Sequence, residues 1–280
     1  MKTLPAISYI EPGDPWYKKA TINSLEVLSG RRKIEAIYHQ LKSERLSIPA
    51  FFERAMALGG VETTLDSEQF KRVPGTGPLV FVANHPFGIL DGLIMCHIAA
   101  QTRGEFKILL HSRLCRDDQL EPYFLPVSFE ETQEAIRENV VTKREAERVL
   151  QANGTIVIFP AGGVATRGRF GLGELEDLPW STFVAKIVAK TRAAVVPVYF
   201  HGENSRPFHF VSGFSQTLRL ALLMKEVINK MDSTIHVEIG DAFAYETLER
   251  VGSRKELTRY LYEQTFALGC ETPTLAEQYG

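Results

Sequence analysis

Leu79-Val80-Phe81-Val82-Ala83-Asn84-His85-Pro86-Phe87-Gly88-Ile89-Leu90-Asp91-Gly92 begins on five apolar residues and closes around an acid. Five apolar residues in a row, Val80 and Val82 among them, have the length of a strand buried on both faces. A turn containing Gly88 follows, and residues 92–100 continue as an apolar helix. The alternation extends in both directions. Downstream, 106–110 reads as a strand, 125–129 as a short extended piece, and 130–151 as a charge-rich helix stopped by Asn153-Gly154. Residues 155–159 and 193–200 read as strands on either side of a helix at 181–191, which Ser181 is placed to cap. Pro197 inside the second of these strands favours an edge or a bulge. A helix at 215–231, a strand at 235–239 and a helix at 246–268 follow. Upstream, residues 16–46 read as helix with Gly30 as a point of division, and a second helix lies near 51–58. Residues 72–78, rich in Pro and Gly, lead into the main domain. This is an α/β pattern: a mainly parallel sheet flanked by helices.

The bulk properties narrow the function. The chain has 280 residues, 44% hydrophobic and 24% charged, which suits one large domain or one domain with a helical appendage. The boundary is expected near residue 70, with 1–70 a helical N-terminal segment and 71–280 the main domain. A net charge of −2 does not fit a nucleic-acid binder, which normally carries a basic excess. Cys96, Cys115 and Cys270 are an odd, widely spaced set, as expected of small buried thiols in a reducing compartment. No signal-peptide pattern opens the chain, and its apolar runs are strand-sized. The expectation is a soluble or peripheral protein that does not cross a bilayer.

In sheets of this kind ligands sit beyond the carboxyl ends of the strands, and three segments there carry the candidate chemistry. In the first, His85 leaves the strand and Asp91 follows six positions later. The two can meet if the loop folds back, for which Gly88 supplies conformational freedom. A carboxylate on one imidazole nitrogen fixes the tautomer and leaves the other nitrogen to take a proton from a hydroxyl. Asp91 also stands at a helix start, so a plain capping role accounts for it equally well. The second segment, Ile158-Phe159-Pro160-Ala161-Gly162-Gly163-Val164-Ala165-Thr166-Arg167, is rich in small residues whose N–H groups can face an oxygen-rich ligand. The third is Val195-Val196-Pro197-Val198-Tyr199-Phe200-His201-Gly202.

In this order the three segments resemble the glycerolipid acyltransferase family, whose blocks are Asn-His-x4-Asp, Phe-Pro-Glu-Gly-Thr-Arg-Ser and a Val-Pro strand ending near Gly. The resemblance spans residues 79–202. It implies that His85 is the general base for an acceptor hydroxyl and that Asp91 orients it. The acyl donor is a thioester of acyl carrier protein or coenzyme A. Neither a covalent acyl-enzyme nor a metal or other cofactor is required. Asn84, Gly88, Phe159, Pro160, Ala161, Gly162, Gly163 and Arg167 are the expected substrate-binding positions. The chain departs from the pattern by one extra residue between His85 and Asp91. Ala161 stands where the family has Glu, Gly163 where it has Thr, and Val164 where it has the phosphate-holding Arg. Arg167 or Arg169 is a nearby substitute. These departures resemble the branch associated with lyso-ornithine lipids and related aminolipids. The expected acceptor is therefore a phosphate-free lyso-aminolipid, with lysophosphatidic acid as the alternative and a non-catalytic lipid-binding protein as the alternative of another class.

Residues 18–45 carry seven Lys or Arg against three Glu, which gives anchoring on an anionic membrane surface as one reading, with the apolar residues Ile34, Ile37 and Leu41 dipping into the bilayer. An ordinary helix that packs those three residues inward is the other. The implied location is peripheral, on the cytoplasmic face of the cell membrane. Competing enzymes have little support: His85, His111 and His201 all follow apolar strands, but no metal-ligand spacing joins them, and no Gly-x-Ser-x-Gly elbow is present. His209, between Phe208 and Phe210, reads as a core contact or as lining for an acyl chain.

Overall fold

The structure is a computed structural model that describes residues 10, 13, 15–112, 119–130, 132–168, 171–212 and 216–271. Its centre is β2 (Leu79–Ala83), in which all five residues are buried. Side chains alternate across a strand, so the two faces of β2 feed two different cores. Leu79, Phe81 and Ala83 join one core with Ile94 and Ile98 of α5 (Ile89–Arg103) and Phe51 and Phe52 of α3 (Ile48–Leu58). Val80 and Val82 join the other, with Leu150 of α6 (Gln133–Gln151), Ile187 of α7 (Phe183–Thr191) and Leu261 of α11 (Arg254–Glu271). A strand buried on both faces reads as a continuous apolar run because helices cover it twice.

Around β2 lie β5 (Thr155–Ile158), β3 (Lys107–His111) and β4 (Phe124–Val127) on one side and β8 (Ala194–Phe200) on the other, all parallel. β10 (Val237–Ile239) closes the β8 side in the antiparallel sense. Pro197 is therefore in an interior strand and not at an edge. Its carbonyl accepts the Gly240 N–H at 2.9 Å, and the next exchange joins Val195 to Phe243. Two residues of β8 thus oppose three of the partner, and the bulge lies on the partner beside the proline. A side chain at 240 would collide with the Pro197 ring, its Cβ only 2.8 Å away, so glycine makes the arrangement possible.

The N-terminal helices do not stand apart from this body. α1 (Trp16–Leu28) and α2 (Arg31–Glu44) divide at Gly30, whose φ of +93° is left-handed. Ile37 and Leu41 pack on the same core as Phe81, and Ile34 packs beside Leu223 and Met224 of α9 (Gln216–Asn229). The stripe offered to a bilayer by the sequence thus faces protein. Arg31 also leaves the basic face: it is buried and donates to the fully buried Glu26 at 2.6 Å. Past α3, β1 (Val61–Thr63) pairs with β9 (Ser233–Ile235), tying the segment to a strand about 170 positions later, and the short α4 (Ser67–Lys71) leads on toward β2.

Other boundaries differ from expectation for local reasons. The strand expected at 235–239 is two strands in two sheets, which change over at His236. The helix expected at 215–231 is α9, and a further helix not expected from the sequence, α8 (Arg206–Ser212), precedes it; residues 213–215 lie outside the described set. The last helix is preceded by the short α10 (Tyr245–Leu248), the two being separated by Gly252 at φ +111°. Thr182 is the N-cap of α7, and the Ser181 hydroxyl accepts the Phe183 N–H at 3.3 Å. Cys96 is a buried thiol, Cys270 is exposed, and Cys115 lies outside the described residues. Among the described residues, no helix is long and apolar enough to cross a membrane.

Candidate active site

The loop after β2 does fold back. Gly88 adopts φ +84° and ends the turn as the N-cap of α5. A Cβ here would meet Leu223 and Val164 at 3.0 Å, so both conformation and space call for glycine. Asp91 occupies the third position of α5 and is fully buried. Its Oδ2 accepts the Phe87 N–H at 2.8 Å, the Gly88 N–H at 2.9 Å and a hydrogen bond from His85 Nδ1 at 3.0 Å. The capping and catalytic readings are thus met by one oxygen. A carboxylate accepting from Nδ1 places the imidazole proton there and leaves Nε2 for a substrate. Burial pushes the Asp91 carboxyl above its usual range, while the hydrogen bonds from His85, Gly88 and Phe87 favour the ionised form.

The second segment frames the imidazole. Phe159 lies one residue past β5, and its ring stacks on His85 with centroids 4.1 Å apart and planes 25° from parallel. Pro160 and Ala161 are buried, whereas Gly162 and Gly163 reach the surface. Gly162 spends its N–H on the Phe159 carbonyl at 2.9 Å, and Ala165 spends its N–H on the His85 carbonyl at 2.7 Å. Those two donors belong to the turn and are not free for a ligand.

Two further expected ligands are also engaged within the fold. The Asn84 amide donates to the Phe200 carbonyl at 2.9 Å, and its oxygen accepts the Phe200 N–H at 2.8 Å. It joins the carboxyl ends of β2 and β8. Arg167 donates through Nε and Nη2 to the two oxygens of Glu203, at 2.6 and 2.7 Å, and through Nη1 to the Gly173 carbonyl. This pairing holds the Glu203 carboxyl below its ordinary range. His209 lies wholly buried behind the pair, 3.1 Å from Glu203, with its Nδ1 accepting the Arg167 N–H at 3.3 Å. It belongs to an ionic cluster and not to an apolar lining. Burial lowers its affinity for a proton. Arg169 lies outside the described residues.

Asp177 and Glu203 escaped the sequence pattern. Asp177 Oδ1 accepts the His85 main-chain N–H at 3.2 Å across 92 positions, a contact with no local signature. His111 and His201 do not converge on His85: His111 packs against Phe129, and His201 faces Glu238 at 3.4 Å. Among the described residues, no group of three or more His, Cys, Asp or Glu side chains is arranged to hold a metal ion.

The profile of the acyltransferase family matches residues 32–272. The chain is similar to a lyso-glycine lipid O-acyltransferase of Phocaeicola vulgatus, 24% identical over 226 residues that cover 78% of this chain and 77% of that one. It is similar to a lyso-glycine lipid O-acyltransferase of Bacteroides thetaiotaomicron, 23% identical over 258 residues, or 89% and 90% of the two chains. Among solved structures it shares its fold with the 1-acyl-sn-glycerophosphate acyltransferase PlsC of Thermotoga maritima, at a TM-score of 0.52 and 17% identity, covering 92% and 91%. The chain belongs to the acyltransferase family, and it is an enzyme that transfers acyl groups.

Proposed function

We propose that this enzyme moves a fatty acyl group from an acyl carrier protein or coenzyme A thioester to the hydroxyl of a phosphate-free lyso-aminolipid. The observation that carries the reading is the 3.0 Å contact between His85 Nδ1 and the buried Asp91. Nε2 takes the proton of the acceptor hydroxyl as its oxygen bonds to the thioester carbonyl carbon. The tetrahedral adduct collapses, the carbon–sulfur bond breaks, and the thiol leaves with the proton from the imidazolium. The proton balance closes on one histidine, and the thioester supplies the leaving group.

Two observations support an acceptor without phosphate. The similar curated proteins carry the name of a lyso-glycine lipid acyltransferase. Arg167, a sequence neighbour of the position where the family has its phosphate-holding arginine, gives its guanidinium to Glu203 and Gly173. A phosphate would have to displace a carboxylate already bound in the bidentate geometry that phosphate itself favours. Lyso-glycine and lyso-ornithine lipids are the acceptors of this class to offer beside lysophosphatidic acid, with acyl carrier protein and coenzyme A thioesters as donors. Faster turnover of an aminolipid supports the proposal, and faster turnover of lysophosphatidic acid overturns it. The work takes place at a membrane surface, peripherally and on the cytoplasmic face.

A further inference from the structure

Both main-chain polar groups of His85 are gripped by the two ends of a single hairpin. β6 (Thr166–Arg167) and β7 (Leu175–Glu176) pair antiparallel, Thr166 opposite Glu176 and Arg167 opposite Leu175. The residue just before the hairpin, Ala165, donates its N–H to the His85 carbonyl at 2.7 Å. The residue just after it, Asp177, accepts the His85 N–H on Oδ1 at 3.2 Å. The second oxygen, Oδ2, accepts the Trp180 indole N–H at 2.9 Å, which stops the carboxylate from rotating away. Trp180 is itself set edge-on to Tyr262 of α11, with centroids 5.4 Å apart. One residue further, Ser181 donates its N–H to the Pro160 carbonyl at 2.9 Å, joining this segment to the Phe159 turn that stacks on the imidazole.

We propose that Asp177 is a positioning residue for the general base, acting through the main chain of His85 to hold the imidazole in line with Asp91 and the acceptor hydroxyl. The inference rests on the reading of His85 as that base. Among the described residues no Lys or Arg is paired with the Asp177 carboxylate, and the cap of α7 is Thr182, so neither ion pairing nor helix capping explains it. Partial burial raises its carboxyl, against the pull of the hydrogen bonds from Trp180 and His85, so the site bears the cost of a half-buried acid. The geometry explains what that cost maintains. His85 is followed by Pro86, and its peptide plane sets the direction in which the imidazole leaves the chain. Letting that plane rotate moves Nδ1 off Asp91, and losses of this kind are steep in enzymes that depend on alignment.

The test uses the full chain, with kcat and both KM values measured on an acyl thioester and a lyso-glycine lipid, beside the melting temperature. Asp177→Ala is expected to lower kcat by about 10- to 100-fold, the usual scale for a group that orients a first-line residue, with both KM values little changed. Asp177→Asn keeps an oxygen for the His85 N–H and is expected to recover part of that loss. Trp180→Phe frees the carboxylate to rotate and is expected to lower kcat less than Asp177→Ala does. Wild-type kcat in Asp177→Ala, or a loss carried by KM, overturns the proposal. So does a fall that only follows loss of folded protein and is no smaller in Asp177→Asn. Should Asp177→Ala fail to fold, an unchanged kcat in Trp180→Phe overturns it instead. His85→Ala, run alongside, separates the two levels: activity there removes the base itself, whereas its absence leaves the Asp177 variants to judge positioning alone.

Discussion

Asp91 places all three of its hydrogen bonds on Oδ2, while Oδ1, equally buried, accepts none among the described residues. The loaded oxygen does two jobs that substitution can separate. In Asp91→Asn the amide oxygen can still accept the Phe87 and Gly88 N–H groups, so the helix start survives while the charge that steadies an imidazolium is lost. Turnover is expected to fall by roughly 10²- to 10⁴-fold with the melting temperature nearly unchanged. Asp91→Ala loses the cap as well and should also cost about 1 kcal/mol of stability, read by denaturant unfolding. Equal melting temperatures for the two variants would show that the cap contributes nothing. The His85–Asp91 pair was legible in the sequence because six positions and a glycine bring it together locally. The fate of Arg167 was not, since Glu203 lies 36 positions away and no pattern links them. Glu203→Gln tests what that pairing does: it frees the guanidinium, and turnover of lysophosphatidic acid relative to the aminolipid should rise about tenfold. One charge-assisted hydrogen bond to phosphate is worth roughly 1.5 kcal/mol or more, enough for that change. An unmoved ratio would remove Arg167 from acceptor choice.

Among the elements, the strands were the most legible, because continuous apolar runs are what a sheet covered on both faces demands. β2 lies where the apolar run predicts it, and β5 and β8 differ from expectation by a single residue at one end. Of the two readings Pro197 allowed, the bulge holds and the edge does not, because the choice is made by a distant partner: the bulge and the small Gly240 that accommodate the ring come from the chain after β10. The long helix α6 shows how charge is used at this scale. Glu145 meets Arg148 at 2.7 Å on its own helix and Lys107 of β3 at 3.4 Å, fastening the helix to the sheet. The hydrogen bond from Arg148 is the main cause that brings the Glu145 carboxyl down to about 2 from a usual value of 4.5. A carboxyl lowered by folding contributes stability that is complete above its unfolded value and is lost as pH falls toward the folded one. Glu145→Gln should therefore be less stable than wild type at pH 6 and approach it between pH 4.5 and 2. The partners are partly exposed, so the difference should be small, about 0.2–1 kcal/mol by thermal unfolding. A gap that stays constant through acid would assign it to packing instead.

For the molecule as a whole, the proposed lipid acceptor raises the question of which surface would meet a membrane. The basic excess of residues 18–45 pointed toward the N-terminal helices, but the apolar stripe of α2 is packed inside and Arg31 is neutralised by Glu26. What remains outward is α1. Tyr17 and Leu28, eleven positions apart and so on one helical face, are 61% and 84% exposed, and Trp16 beside them is 81% exposed. Three large apolar side chains left in water on one helix, near the exposed Arg32 and Lys33 of the next, have the composition of an interfacial contact. Fully burying one such side chain stabilises by roughly 1.5–3 kcal/mol, so even partial insertion of three outweighs the screened charges. The combined variant Trp16→Ala, Tyr17→Ala, Leu28→Ala should bind anionic vesicles at least about tenfold more weakly, since about 1.4 kcal/mol of lost insertion suffices for that factor. Its turnover of vesicle-borne acceptor should fall in step, while turnover of the same acceptor dispersed in detergent stays near wild type, because these three side chains point to solvent and not into the packing behind the His85 turn. Raising salt should weaken wild-type binding only in part, with the apolar share remaining. Vesicle binding that survives the triple substitution unchanged would place the lipid contact elsewhere on the molecule.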